Sequence, residues 1–157
     1  MDLHSRPVVM DKPTLEEFLR RAFKQVADDF GIEEVAPMRI VTRLKVAERH
    51  LRPGGTVSGP AMFALADVSI YLATLAMVGP KALAVTTNAT LDFLRKPEAG
   101  RDLIAETRLL KLGRTLAVGD ALIFSEGFDQ PVARSSMTYS LPPDGSAAAA
   151  HTGGDPE

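Results

Sequence analysis

Cysteine is absent from this chain of 157 residues, which excludes disulfides and thiolate metal sites. Histidine is scarce, because His4, His50 and His151 are the three that occur and they lie far apart in sequence. An imidazole metal site needs several such ligands close together, so we predict no metal. The chain also lacks an excess of one charge sign, since 18 Lys and Arg oppose 20 Asp and Glu. With a net charge of -2, we expect neither nucleic acid nor a membrane as a partner.

The N-terminus lacks the basic, apolar and small-residue order of a signal peptide, so we expect a cytoplasmic protein. The length and the apolar content of 45% are those of one domain with a hydrophobic core. We predict this domain at residues 13–141. Both ends are of low complexity, which predicts a flexible N-terminus at residues 1–12 and a disordered tail at residues 142–157.

An amphipathic helix is predicted after Pro13, with Thr14 as its N-cap and Glu17 completing a capping box, and with its end near Gly31. Apolar residues recur along it at spacings of three and four, which makes one apolar stripe. These residues are Leu15, Phe18, Leu19, Ala22, Phe23 and Val26.

A second helix is predicted from Pro60 to Val78, with Gly79 and Pro80 at its end. Asp67 is its only charged residue. An acid near the middle is costly inside a bilayer, so the pattern favours a helix buried in a protein core over a membrane span.

Strands are predicted where apolar residues alternate with polar ones. The segments are residues 38–46, 83–93, 102–112, 115–125 and 131–141. In the second of these, strict alternation puts Thr86, Asn88, Thr90 and Asp92 on one face and Leu83, Val85, Ala89, Leu91 and Phe93 on the other. The pattern predicts an α+β domain in which the long helix is buried against an antiparallel sheet.

Two features could form a site. The turn from Gly54 to Pro60 precedes a helix start, whose unpaired N–H groups can bind an anion or polarise a carbonyl, although the glycines taken alone are explained by the turn from strand to helix. Asp67 is costly to bury among apolar residues, so it is either a general base or a structural ion pair with Arg95 or Arg114. Two more specific motifs are incomplete. Pro60 and Ala61 stand where a phosphate loop requires Lys and Ser/Thr. Thr56 stands where a serine nucleophile elbow requires its first glycine.

A spaced set of motifs resembles the PaaI-like acyl-CoA thioesterases of the hotdog fold. The residues that carry the resemblance span about 38–142 and read LRPGGTVSGPAMFALADVSIY, then TTNATLDFLRKPEAGRDLIAETRLLKLGRTLAVGDA, then PVARSSMTYSLP. The resemblance implies an antiparallel sheet of five or six strands wrapped around the central helix, here with an extra N-terminal helix. It also implies a homodimer joined through a continuous sheet, often paired into a homotetramer, with the site between subunits.

The resemblance also implies roles for particular residues. Asp67 corresponds to the acid that acts as nucleophile or general base, and the Gly59 N–H to the donor that polarises the thioester carbonyl. Ser58 and Pro60 replace the histidine and second glycine of the family's HGG motif, and Arg52 replaces an upstream asparagine. Thr86 matches a hydroxyl-bearing residue that positions water.

The resemblance further implies that coenzyme A enters as part of the substrate and that no other cofactor is needed. We expect the substrate to be bound by Arg52, Asn88, Arg95 and Arg114. An alternative is a non-catalytic hotdog protein that binds an acyl ligand, which the missing histidine and asparagine suggest. A hotdog dehydratase is weaker, because it generally needs a catalytic histidine and His50 is the one candidate near the site.

Overall fold

A six-stranded antiparallel sheet wraps around one long helix in the computed structural model, which describes residues 6–81 and 84–143. The strand order across the sheet is β1-β2-β4-β5-β6-β3. The elements are α1 (Lys12–Ala22), β1 (Phe30–Ala36), β2 (Arg39–Leu44), α2 (Gly59–Val78), β3 (Val85–Phe93), β4 (Leu103–Leu112), β5 (Leu116–Ser125) and β6 (Pro131–Ser140). The predicted α+β hotdog fold is confirmed, with six strands and the extra N-terminal helix.

Helix α2 is the centre of the core. Leu65, Ile70 and Leu72 are fully buried in it, and a leucine buried in this way stabilises the fold by about 1.5–3 kcal/mol. The sheet approaches the helix closely at Gly119, where an added Cβ would lie 3.0 Å from Cγ2 of Ile70. Although α2 is long and apolar enough to cross a membrane, 67% of its most apolar stretch is buried inside the fold, which is typical of a core helix.

Helix α1 differs from the prediction at both ends. Its N-cap is Asp11, whose side chain accepts from the Thr14 backbone N–H at 3.1 Å, so Thr14 is inside the helix. The helix ends at Ala22 rather than near Gly31, and the chain enters β1 at Phe30. The sequence prediction missed β1, because its register shifts between Ile32 and Glu34 and so breaks the two-residue period. The predicted apolar stripe is confirmed inside α1, where Leu15, Phe18 and Leu19 are buried.

The described part of the N-terminal segment, residues 6–12, packs against α2, although the sequence predicts flexibility there. Met10 is buried, and the backbone N–H groups of Val9 and Met10 donate to the Ala76 carbonyl at 2.8 and 3.1 Å. These bonds tie the segment to the last turn of α2. Residues 144–157, most of the predicted tail, lie outside the described residues.

Candidate active site

Asp67 is half-buried on α2, with hydroxyl groups as its partners. Thr86 Oγ1 donates to Asp67 Oδ1 at 2.7 Å, and the Tyr139 hydroxyl donates to the same oxygen. Among the described residues, neither Asp67 nor Arg114 takes part in an ion pair. Arg95 donates a hydrogen bond to Gln130 instead. The structural alternative of an ion pair with either arginine is therefore wrong. A carboxylate in this setting can accept a proton from water or attack a carbonyl.

Thr86 reaches Asp67 because β3 contains a bulge. The pairing with β6 runs Thr86 with Tyr139 and then Asn88 with Thr138, so Thr87 is an extra residue. Thr86 consequently shares the face of the buried Tyr139, which is directed at α2, while Asn88 lies on the opposite face. The predicted common face of Thr86 and Asn88 is wrong, since the bulge puts the residues before and after it out of phase.

Tyr139 is the site residue that sequence reasoning missed. Its side chain is 3% exposed, and its ring stacks on Tyr71 with centroids 5.9 Å apart. Burial, followed by the hydrogen bond to Asp67, raises the pKa of the Tyr139 hydroxyl far above its ordinary value of 10.0, so it remains a donor. An inward-facing tyrosine in a strand is typical of core packing, and its position opposite Thr86 follows only from the register of β3 and β6.

Gly59 opens α2, and Ser58 caps it. Ser58 Oγ accepts from the Ala61 N–H at 3.3 Å, so this side chain is used to satisfy the helix start. The turn before it is held by a bridge between Leu51 and Val57 and by the Ser58 N–H, which donates to the His50 carbonyl at 2.8 Å. This small hairpin fixes where α2 begins and therefore where the Gly59 N–H lies.

A cavity of about 630 Å³ lies beside Gly59 and does not include Asp67 among its lining residues. Its wall is partly cationic and partly apolar. It is lined by Arg52, Pro53, Thr56, Val57, Gly59, Met62, Phe93, Leu94, Arg95, Lys96 and Pro97. Two of the predicted substrate-binding residues, Arg52 and Arg95, therefore lie together next to the predicted carbonyl donor.

The other two predicted substrate-binding residues lie elsewhere in the chain. Asn88 is exposed on the far face of the edge strand β3. Arg114 is exposed in the turn between β4 and β5, near the end of the sheet where Leu116 and Val85 both pair with Ser140. Arg95 follows Phe93 at the opposite end of β3, so a single chain does not bring Arg114 and Arg95 together.

His50 is buried beneath the hairpin that precedes α2. Its Nδ1 accepts from the Ala47 N–H at 2.9 Å, and its Nε2 lies 3.3 Å from Asp29 Oδ2. Burial lowers the pKa of His50, and the positive charge of Arg49 makes a smaller contribution in the same direction. The negative charge of Asp29 would oppose this shift, but Arg49 also pairs with Asp29. Both ring nitrogens face protein groups, which removes support for a dehydratase that uses this histidine.

Known proteins resemble this chain in sequence and in fold. A model of the thioesterase superfamily matches residues 54–131, the segment that contains both Gly59 and Asp67. The crystal structure of a "putative thioesterase" from Silicibacter sp. TM1040 is 63% identical in sequence, with a TM-score of 0.83 over 88% of this chain and 96% of that one. The chain belongs to the thioesterase superfamily.

Other similar proteins have a lower sequence identity to this chain. Human acyl-coenzyme A thioesterase 13 is 24% identical over 123 residues, which are 77% of this chain and 86% of that protein. A mutant of the phenylacetic acid degradation protein PaaI from Thermus thermophilus is 27% identical, with a TM-score of 0.64 over 80% of this chain and 99% of that one. The predicted PaaI-like resemblance is confirmed.

Proposed function

We propose that this protein hydrolyses acyl-CoA thioesters to a free acid and coenzyme A, with Asp67 as the general base or nucleophile. The observation that carries the proposal is a half-buried carboxylate held by two hydroxyl donors and by no cation among the described residues. As a general base, Asp67 takes a proton from the water that adds to the thioester carbonyl. The carbon–sulfur bond then breaks, and the thiolate leaves with that proton. As a nucleophile, Asp67 attacks the carbonyl carbon and expels the coenzyme A thiolate, which takes a proton from water. A second water then cleaves the resulting acyl anhydride, which releases the free acid and regenerates the Asp67 carboxylate.

The Gly59 N–H is the proposed donor to the oxyanion that develops on the carbonyl. It lies in the first turn of α2, where N–H groups have no partner within the helix and the helix dipole favours negative charge. One well-placed donor of this kind favours the transition state by roughly 3 kcal/mol.

One chain does not bring the donor and the acid to the same carbonyl. Gly59 and Asp67 are eight residues apart on one helix, which corresponds to about 12 Å along its axis. A second copy of the chain supplies the missing half in our proposal, so that the Gly59 of one protomer faces the Asp67 of the other. The free edge of β3 and the exposed Phe63 beside Asp67 offer a surface for that copy.

Antiparallel pairing across the β3 edges has a further consequence for substrate binding. In such a dimer, the end of β3 that lies near Arg114 in one protomer would approach the end of β3 that precedes Arg95 in the other protomer. Arg52, Arg95 and Lys96 line the cavity beside Gly59, and we propose that they bind the phosphates of coenzyme A. A dimer is the smallest assembly that this proposal needs, and a pair of dimers remains compatible with it.

The test is turnover of a panel of acyl-CoA thioesters, followed by thiol release, in the wild type and in Asp67→Asn and Asp67→Ala. We expect both variants to fold, to keep their affinity for acyl-CoA and to lose turnover. An Asp67→Asn variant with wild-type turnover would contradict the proposal. A wild type that binds acyl-CoA and never cleaves it would instead identify the non-catalytic ligand-binding protein, which the Ser58 cap in place of a histidine favours.

A further inference from the structure

The two oxygens of the Asp67 carboxylate have unequal surroundings. Oδ1 accepts from Thr86 Oγ1 at 2.7 Å and from the Tyr139 hydroxyl, which also lies 2.9 Å from the Asp67 backbone oxygen. Within residues 6–81 and 84–143, no hydrogen bond ends on Oδ2. Oδ1 is therefore held by the protein, whereas Oδ2 keeps its lone pairs for another partner.

We propose that Tyr139 is a positioning residue which, together with Thr86, fixes the Asp67 carboxylate so that Oδ2 is the reacting oxygen. This inference rests on the proposed thioester hydrolysis and deepens it by naming the atom that takes the proton or attacks the carbonyl. Rotation of the carboxylate would break hydrogen bonds to two different strands, since Thr86 lies on β3 and Tyr139 on β6.

Tyr139 is rigid enough for this role. It is almost completely buried, and Tyr71, one helical turn after Asp67 on α2, stacks on its ring at an interplanar angle of 29°. Phe23 in turn packs edge-on against Tyr71, with ring centroids 5.5 Å apart. The Tyr139 hydroxyl has one proton, and of the two Asp67 oxygens within hydrogen-bond distance the charged Oδ1 is the stronger acceptor.

Tyr71 provides a matched control. Its hydroxyl is buried and has no hydrogen-bond partner in the described part of the chain. Tyr139→Phe and Tyr71→Phe therefore remove the same group from two stacked rings, and only the first removes a donor to Asp67. Thr86→Ser keeps the second donor, whereas Thr86→Val removes it with little change of shape.

We expect Tyr139→Phe to lower kcat about tenfold while KM stays within about twofold, as for loss of one charge-assisted hydrogen bond. Thr86→Val should lower kcat in the same way, Thr86→Ser should restore it, and Tyr71→Phe should leave it at the wild-type value.

A Tyr139→Phe variant with wild-type kcat would overturn the inference, even if the variant were less stable. An equal loss in Tyr71→Phe would also overturn it, since the effect would then come from packing. The Asp67→Asn variant tests the hydrolysis itself and is independent of Tyr139.

Should the wild type cleave no thioester, the inference can still be tested without turnover. Crystal structures of Tyr139→Phe and Tyr71→Phe show the orientation of the Asp67 carboxylate directly. A carboxylate that is rotated in Tyr139→Phe and unchanged in Tyr71→Phe supports the positioning role, and a carboxylate that is unchanged in both overturns it.

Discussion

The ring of Phe93 on β3 lies against Gly59 at the start of α2, so closely that a Cβ added to Gly59 would be 3.0 Å from Cζ of Phe93. Gly59→Ala must therefore push the ring away or shift the helix start. We expect kcat/KM to fall roughly 10- to 100-fold, because the proposed carbonyl donor is displaced. Steady-state kinetics on the best acyl-CoA substrate measures this, and wild-type kcat/KM in Gly59→Ala would contradict it.

Phe93→Ala combined with Gly59→Ala is the control for this contact. The smaller side chain leaves room for the added methyl group. Recovery of activity in the double variant would attribute the loss to the ring, whereas continued loss would attribute it to the methyl group obstructing the substrate.

A shared site predicts complementation between two inactive variants. Asp67→Asn and Gly59→Val each break both sites of a homodimer, but a mixed dimer has one site with both wild-type residues. Refolding an equal mixture should restore about a quarter of the wild-type activity, since half of the dimers are mixed and each has one intact site. Mixing without unfolding is the control, and sizing with light scattering reports the assembly. No recovery in a mixture that demonstrably contains mixed dimers would place both residues in one chain's site.

Ser58 can be tested for capping and for charge separately. Ser58→Ala should lower the free energy of unfolding by about 1 kcal/mol, because it removes a helix cap. Ser58→Asn and Ser58→Asp both retain a cap and should restore stability. The Asp variant should nevertheless have a lower kcat than the Asn variant, since its charge opposes the oxyanion beside Gly59. Denaturant unfolding and kcat measure the two effects, and equal kcat values in these variants would argue against an oxyanion at this helix start.

His50 predicts a pH dependence of stability. Burial lowers the pKa of His50 below its unfolded value of 6.5, so the unfolded chain binds more protons as the pH falls. The stability that neutral His50 contributes is thus present above pH 6.5 and is lost as the pH falls through the folded pKa. His50→Asn keeps an acceptor for the Ala47 N–H and does not titrate. We expect the stability difference between wild type and His50→Asn to narrow on acidification in urea unfolding; a constant difference would refute this.

The cations beside Gly59 should affect substrates that carry the phosphates of coenzyme A. Arg95→Glu is expected to raise KM for an acyl-CoA by about 3- to 10-fold, and to leave KM unchanged for the same acyl group on a short thiol without phosphates. Lys24→Glu makes the same change of net charge on an exposed residue remote in sequence, and should leave both KM values unchanged. Equal effects of Arg95→Glu on the two substrates would argue against phosphate binding here.

Much of the fold follows from periodicity. The predicted bounds of α2 and of β3 to β6 agree with the structure within two residues, because turn residues flank each of these segments. The prediction fails where one extra residue enters a strand. No residue type in the sequence marks the register shift between Ile32 and Glu34, so β1 is missed. The extra residue Thr87 is likewise unmarked, so Thr86 is assigned to the wrong face of β3.

The site was predictable to a similar extent. Asp67 stands out as the only charge on an apolar helix, and Gly59 as the glycine at its start. Tyr139 could not be predicted, because its contact with Asp67 depends on how β6 curves over α2. Which pairs of residues meet across layers is set by tertiary packing, and local pattern carries no information about it.

Both border strands of the sheet, β1 and β3, are interrupted by a register shift. A regular edge strand would present a long row of unpaired backbone donors and acceptors to other chains. Fibrils grow by adding strands to such an edge. The irregularities divide each border into short runs. This architecture fits the proposed addition of one further copy along a limited stretch of edge, and it discourages continued strand-by-strand growth.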